Sequence, residues 1–151
     1  MTSLAMIALK GAGPLPAERV RAAIEMAAGG PVKDFEESKG IGSASIGDQT
    51  VMVSHMSGPI PWTDLEGPCE TSWMWEEATE VLKKHASHLI CVVSGGEHTR
   101  LDRCLLLTRL IAALCGEDGV AGVYWGSGTV VVSPESFVKA NELAIKDEIV
   151  P

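Results

Sequence analysis

The chain has 151 residues, 46% hydrophobic and 21% charged, with a net charge of −8. That is the composition of a single globular domain, residues 1–151, long enough to bury roughly 70% of its extended surface without disulfide or metal support. It argues against a clustered cationic surface for nucleic acid, and no apolar run approaches the ~20 residues that span a bilayer.

Residues 3–10, SLAMIALK, form a short apolar run that stops at GAGP and read as a buried strand. With no basic residues ahead of it, the run is too short for a signal peptide. A helix over 16–28 follows, with Val20, Ala23, Ile24 and Ala27 on one face and Gly29-Gly30 as its stop. Residues 31–40 are a polar connector. Residues 41–46 and 50–56 predict a hairpin turning at Gly47-Asp48, with Val51, Val53 and His55 on one face of the second strand.

The stretch PIPWTDLEGPCETSWMW, residues 59–75, is read as a loop broken by Pro61, Gly67 and Pro68. A helix capped by Thr71 or Ser72 then runs to about His85, with Met74, Ala78, Val81 and Leu82 as its apolar stripe. Residues 88–94, HLICVVS, read as a central strand. Thr99 and Asp102 form a capping box for a helix over 100–115, whose polar strip carries Asp102, Arg103 and Arg109. A second hairpin spans 119–125 and 129–132 around GSG, and a helix opening at Ser133-Pro134 runs to about Lys146.

The order β-α-β-β-α followed by β-α-β-β-α predicts an α+β fold. It divides as two βαββα units, a pseudo-repeat of 3–85 and 88–146, with a mixed sheet or sheets covered by helices. The first six elements equally fit a ferredoxin-like βαββαβ, and the two divisions stay open at this point.

Three of the four tryptophans lie in the 59–75 stretch, and no lysine or arginine occurs between Lys39 and Lys83. Asp48, Asp64, Glu66, Glu70, Glu76, Glu77 and Glu80 all fall in that interval. Indole faces attract cations, and a neighbouring carboxylate adds a charge partner. Trp62, Trp73 and Trp75 with Asp64, Glu66 and Glu70 are therefore a candidate site for a cationic or amphipathic small molecule, with His55 and Trp125 as further lining. The same tryptophans equally serve to pin a proline-rich connection, and the acids equally form a solvated face.

Other features give less. Cys69 precedes the expected helix start, where the dipole lowers a thiol pKa, and His55, His85, His88 or His98 would have to act as its base; the surrounding acids oppose thiolate formation. Gly95-Gly96 lacks a phosphate-loop pattern, and GSG at 126–128 lacks a nucleophile-elbow pattern. His85-x-x-His88 is not a metal motif, and no cofactor is implied. Four cysteines (69, 91, 104 and 115) without CxxC read as free thiols of a cytoplasmic protein; Cys104 and Cys115 lie about 16 Å apart on one helix.

The runs MVSHMSGPIPWTDLEGPCETSWMW, HLICVVSGG and GVYWGSGTVVVSPESF resemble a bacterial family known as domain-of-unknown-function family 4261. The likeness covers residues 51–138 and centres on the PWxDLxGPC block. It implies no activity, cofactor or catalytic residue. In architecture alone, duplicated βαββ units resemble the small-molecule-binding domains of the GyrI-like superfamily, which hold lipophilic cations with aromatic side chains and a buried carboxylate. The expectation is a non-catalytic binding domain. The alternatives are an immunity-type interaction module masking a basic partner and a cysteine-dependent enzyme using Cys69.

Overall fold

The computed structural model describes residues 2–72, 75–96, 99–116, 119–125 and 130–147. From Ala5 onward strand β1 (Thr2–Leu9) is buried on both sides: Ala5, Ile7 and Leu9 enter one core and Ala8 another, while Thr2 and Leu4 are exposed. Helix α1 (Ala17–Ala28) buries Val20, Ala23, Ile24 and Ala27, the stripe its spacing predicts. It ends at Gly29, whose φ of 79° lets its N–H fold back onto the Glu25 and Met26 carbonyls.

The polar connector holds an element the sequence hides, the short strand β2 (Glu36–Ser38). All three of its residues are exposed, so no hydrophobic alternation marks it. A two-residue turn, with Lys39 at φ 52° and Gly40 at φ 83°, joins it to β3 (Ile41–Ile46). Strand β4 (Gln49–Met56) completes the expected hairpin, and only Gly47 of its turn has positive φ, which fits a Gly-first II′ turn.

The 59–75 stretch departs from expectation. It contains α2 (Trp62–Glu70), a helix with Pro68 inside it. Pro68 sits in the last turn, so it costs one backbone bond, to the Asp64 carbonyl, and does not break the segment. The Thr71 hydroxyl donates to the carbonyls of Gly67 (3.1 Å) and Pro68 (3.3 Å), satisfying that end. Leu65 and Cys69, four apart, supply the buried stripe. The helix expected from Thr71 or Ser72 to His85 shortens to α3 (Ala78–Lys83), which buries Ala78 and Leu82. Met74 lies outside the described residues.

Strand β5 (Ser87–Ser94) leads through Gly95-Gly96 to α4 (Arg100–Cys115), where the Thr99–Asp102 capping box forms in both directions. Arg103, assigned to the polar strip, is instead buried; Asp102 and Arg109 are exposed. The second hairpin is β6 (Val120–Trp125) and β7 (Val130–Val132), followed by α5 (Pro134–Asp147). The Ser133 hydroxyl caps α5 by accepting the Ser136 N–H at 3.2 Å.

The fold is α+β, with the expected elements in the expected order and two more: β2 at one edge of the sheet and α2 inside the stretch expected to be a loop. One seven-stranded sheet runs β2-β3-β4-β5-β1-β6-β7, and each neighbouring pair is antiparallel. The two halves of the chain interleave: β1 lies between β5 and β6, both from the second half. A split βαβ, the unit of ferredoxin-like folds, occurs as β5–α4–β6 around β1 rather than within the first six elements.

Alternation along the strands gives the sheet two unlike faces. The face of Ile7, Val53, Cys91 and Val123 is covered by α1, α4 and α5 and forms the larger core. The opposite face is covered by α2 and α3 at the β1-β6-β7 end, where Ala8, Ile60, Leu65, Cys69, Leu82 and Val131 form a second cluster. Its other half has no helix over it among the described residues.

Candidate functional site

Two histidines hold the 57–61 segment down. The buried His85 ring accepts the Ile60 N–H through Nε2 at 2.9 Å and contacts the Leu82 carbonyl through Nδ1. His88 Nδ1 meets the Gly58 carbonyl at 2.7 Å. An imidazole that accepts at Nε2 carries its proton on Nδ1, so His85 is a neutral structural group with both nitrogens engaged. The pair His85-x-x-His88 is thus occupied in backbone contacts. Among the described residues, no group of three or more His, Cys, Asp or Glu gathers as a metal site.

Trp62 and Trp75 pack against the second cluster and so share one neighbourhood. Trp62 already has a cation, since the Lys83 ammonium lies 5.2 Å from its ring centroid. Trp75 lies on Gly122, where a Cβ would stand 2.7 Å from Trp75 Cη2 and 3.1 Å from Leu82 Cδ2. Glycine at 122 is what admits the indole against β6. Trp73 lies outside the described residues.

The acids do not join the indoles. Asp64, Glu66 and Glu70 are all exposed on α2, and among the described residues no Asp or Glu is buried. The buried carboxylate that the GyrI-like resemblance implies is therefore missing from them. Trp125 points to the opposite face of the sheet and packs on Phe137, ring centroids 6.0 Å apart. His55 also faces that side; its Nε2 is buried without a hydrogen-bond partner beside a hollow of about 10 Å³ lined by Leu15, Val20 and Glu37. Such a space admits about one water and no ligand.

A cleft of about 430 Å³ does open beside Trp75. It straddles β7, the last strand of the sheet, between the end of α2 and the start of α5. Pro68, Trp75 and Val130 to Val132 give it apolar walls, while Thr71, Ser72, Ser133 and Ser136 bring hydroxyls. None of its described lining residues is charged. Of the tryptophans named from sequence, only Trp75 is among them. The β7 and α5 contributors were missed because nothing in VVVSPES marks a binding wall rather than a strand end and a helix cap.

Cys69 lies within α2, not ahead of a helix N-terminus, and it is buried. Burial raises its thiol pKa above the ordinary value, and a hydrogen bond with Thr79 only partly opposes this. Neither condition favours a thiolate nucleophile. Gly95 and Gly96 have φ of 87° and 73°, and a Cβ on Gly96 would meet the Asp48 carboxyl at 2.7 Å, so an acid already occupies the place an anion would take. Glu97, His98 and the GSG at 126–128 lie outside the described residues. All four cysteines are free thiols, and no described helix is long and apolar enough to cross a membrane.

No family model, curated protein or solved structure matches the chain.

Proposed function

We propose that this chain is a non-catalytic binding domain that takes an amphipathic small molecule into the cleft between α2, β7 and α5. The observation that carries this reading is the cleft itself. Its volume of about 430 Å³ falls in the roughly 300–1,000 Å³ range of small-molecule sites, and its apolar walls with a few hydroxyls match their usual lining. Trp75 supplies a flat face to stack on, and Glu70, exposed one residue before Thr71, favours an amine at the polar end. Four free thiols support a cytoplasmic setting.

Calorimetric titration with a series of lipophilic amines and their neutral isosteres tests the reading. A saturable heat is expected with at least one amine, and it should vanish in Ala140→Trp, which fills the cleft from an exposed position on α5. Silence across the whole series sinks the reading.

A second reading, an interaction module for a basic protein, is favoured by one further observation. Asp64, Glu66, Glu70, Glu76, Glu77 and Glu80 are all exposed on the segment that carries α2 and α3. Affinity purification would then recover a basic partner whose binding weakens steeply with salt.

A further inference from the structure

Two helical layers overhang the end of the sheet. α2 packs on one face and α5 on the other, yet the cleft touches both, with Pro68 and Thr71 at the end of α2 and Ser136 and Ala140 on α5. A hollow that reaches helices on opposite faces has to pass around the outside of the last strand. The strand's own contribution agrees. Val130, Val131 and Val132 all line the cleft, although successive side chains of a strand point to opposite faces. Three consecutive residues border one hollow when it runs along the strand's edge.

That edge is open. β7 pairs with β6 alone, and among the described residues its backbone makes no hydrogen bond outside that ladder. In an antiparallel ladder the N–H and C=O of one residue point the same way, and the direction alternates along the chain. The three residues of β7 therefore turn either Val131 or both Val130 and Val132 outward, one or two donor–acceptor pairs facing the cleft. No charged side chain among the described lining guards them. An edge left in this state is a template for another strand.

We propose that the ligand of this cleft is an extended peptide segment that adds to β7 as an eighth strand of the seven-stranded sheet. The proposal rests on the reading of the cleft as the binding site and names what enters it. A peptide backbone matches the free ladder groups of β7, which an amine alone leaves unpaired. Alternation then assigns the side chains of the segment. Those on one face meet Trp75 and Pro68, a wall for branched or aromatic groups. Those on the other meet Ser136 and Ala140, whose small side chains leave room for hydroxyls. The segment is uncharged within the slot, and exposed Glu70 favours a basic residue beside it. The overhang also selects against a second copy of this chain, because a β7 edge recessed between its own α2 and α5 cannot reach another recessed in the same way. The partner is a loop or unfolded segment of a different protein.

The test is calorimetry of the full chain with a panel of capped heptapeptides, each alternating valine, leucine or phenylalanine with serine between terminal lysines. At least one should bind saturably, and Ala140→Trp should abolish its binding. The amide of Val131, or those of Val130 and Val132, should become protected from hydrogen exchange in the complex. N-methylation of the peptide reads the ladder in the wild type, whatever the variant does to folding. Methylating one alternate set of peptide nitrogens should weaken binding about 10-fold, and methylating the other set, which faces away from β7, should not. Equal tolerance of both sets, unchanged exchange along β7, or undiminished binding to Ala140→Trp would each overturn the proposal. So would a silent panel when a lipophilic amine still binds, an outcome that leaves the cleft as the binding site. Silence from peptides and amines alike removes the site and the peptide together.

Discussion

Two glycines on opposite sides of the second cluster respond in opposite directions to the same change. A methyl group on Gly122 meets the end of the Trp75 ring and the Leu82 side chain, both held by packing. Gly122→Ala should therefore cost about 1–3 kcal/mol of stability and shift the emission of Trp75. Gly67 lies in α2 with nothing within 4 Å of an added Cβ. Gly67→Ala should raise stability by about 0.5–1 kcal/mol through helix propensity alone. Urea denaturation of both variants checks the pair, and equal signs would mean that Trp75 does not rest on β6. At His85 the relevant loss is a partner. His85→Ala leaves the Ile60 N–H buried without an acceptor, a cost of about 1–3 kcal/mol. Faster amide exchange at Ile60 should accompany it.

At the scale of elements, the sequence is legible wherever one face is dry. The α1 stripe, the alternation of β4, the continuous run of β5 and the α4 capping box each follow from burial or from a local hydrogen bond, and each is found where the residues place it. Legibility fails where tertiary partners do the work. β2 is a strand only because β3 offers it an edge, and its exposed residues EES carry no period. α2 survives Gly67 and Pro68 because Leu65 and Cys69 anchor it from below and Thr71 closes its end. The candidate site was half visible for the same reason: tryptophans can be counted, but which wall they face depends on β7 and α5. The β2–β3 corner offers a test of such a tertiary tie. The Asp34 carboxylate accepts the Ser45 N–H at 2.9 Å, which holds its pKa below the usual 3.8. This tie's contribution is present above the ordinary carboxylate pKa and is lost as pH falls through the lowered one. The Ser45 amide resonance should titrate with a midpoint below 3.8, and Asp34→Asn should remove that titration.

For the whole molecule, the large core imposes a pH limit on the alkaline side. Cys91 is fully enclosed between β-strand neighbours and α4, and burial drives its thiol pKa far above the ordinary value, with Cys115 adding to the rise. Burial, with Glu135 second, pushes Cys115 up to about 12 from 9.0. In the unfolded chain both thiols ionise near their ordinary value. The folded state therefore binds more protons than the unfolded one above pH 9, and stability must fall as pH rises. Below that pH the contribution is complete. Each thiol adds a slope of about 1.4 kcal/mol per pH unit until its folded pKa is reached. Other groups titrate in the same range, so the informative quantity is the difference between the wild type and a Cys91→Ala/Cys115→Ala double variant. The variant starts lower because two small cavities open in the core, but its stability should decline less steeply between pH 9 and 10.5. Parallel slopes would mean that the two sulfurs reach solvent in the native state, and that the layer of α4 against β5 is looser than its packing implies.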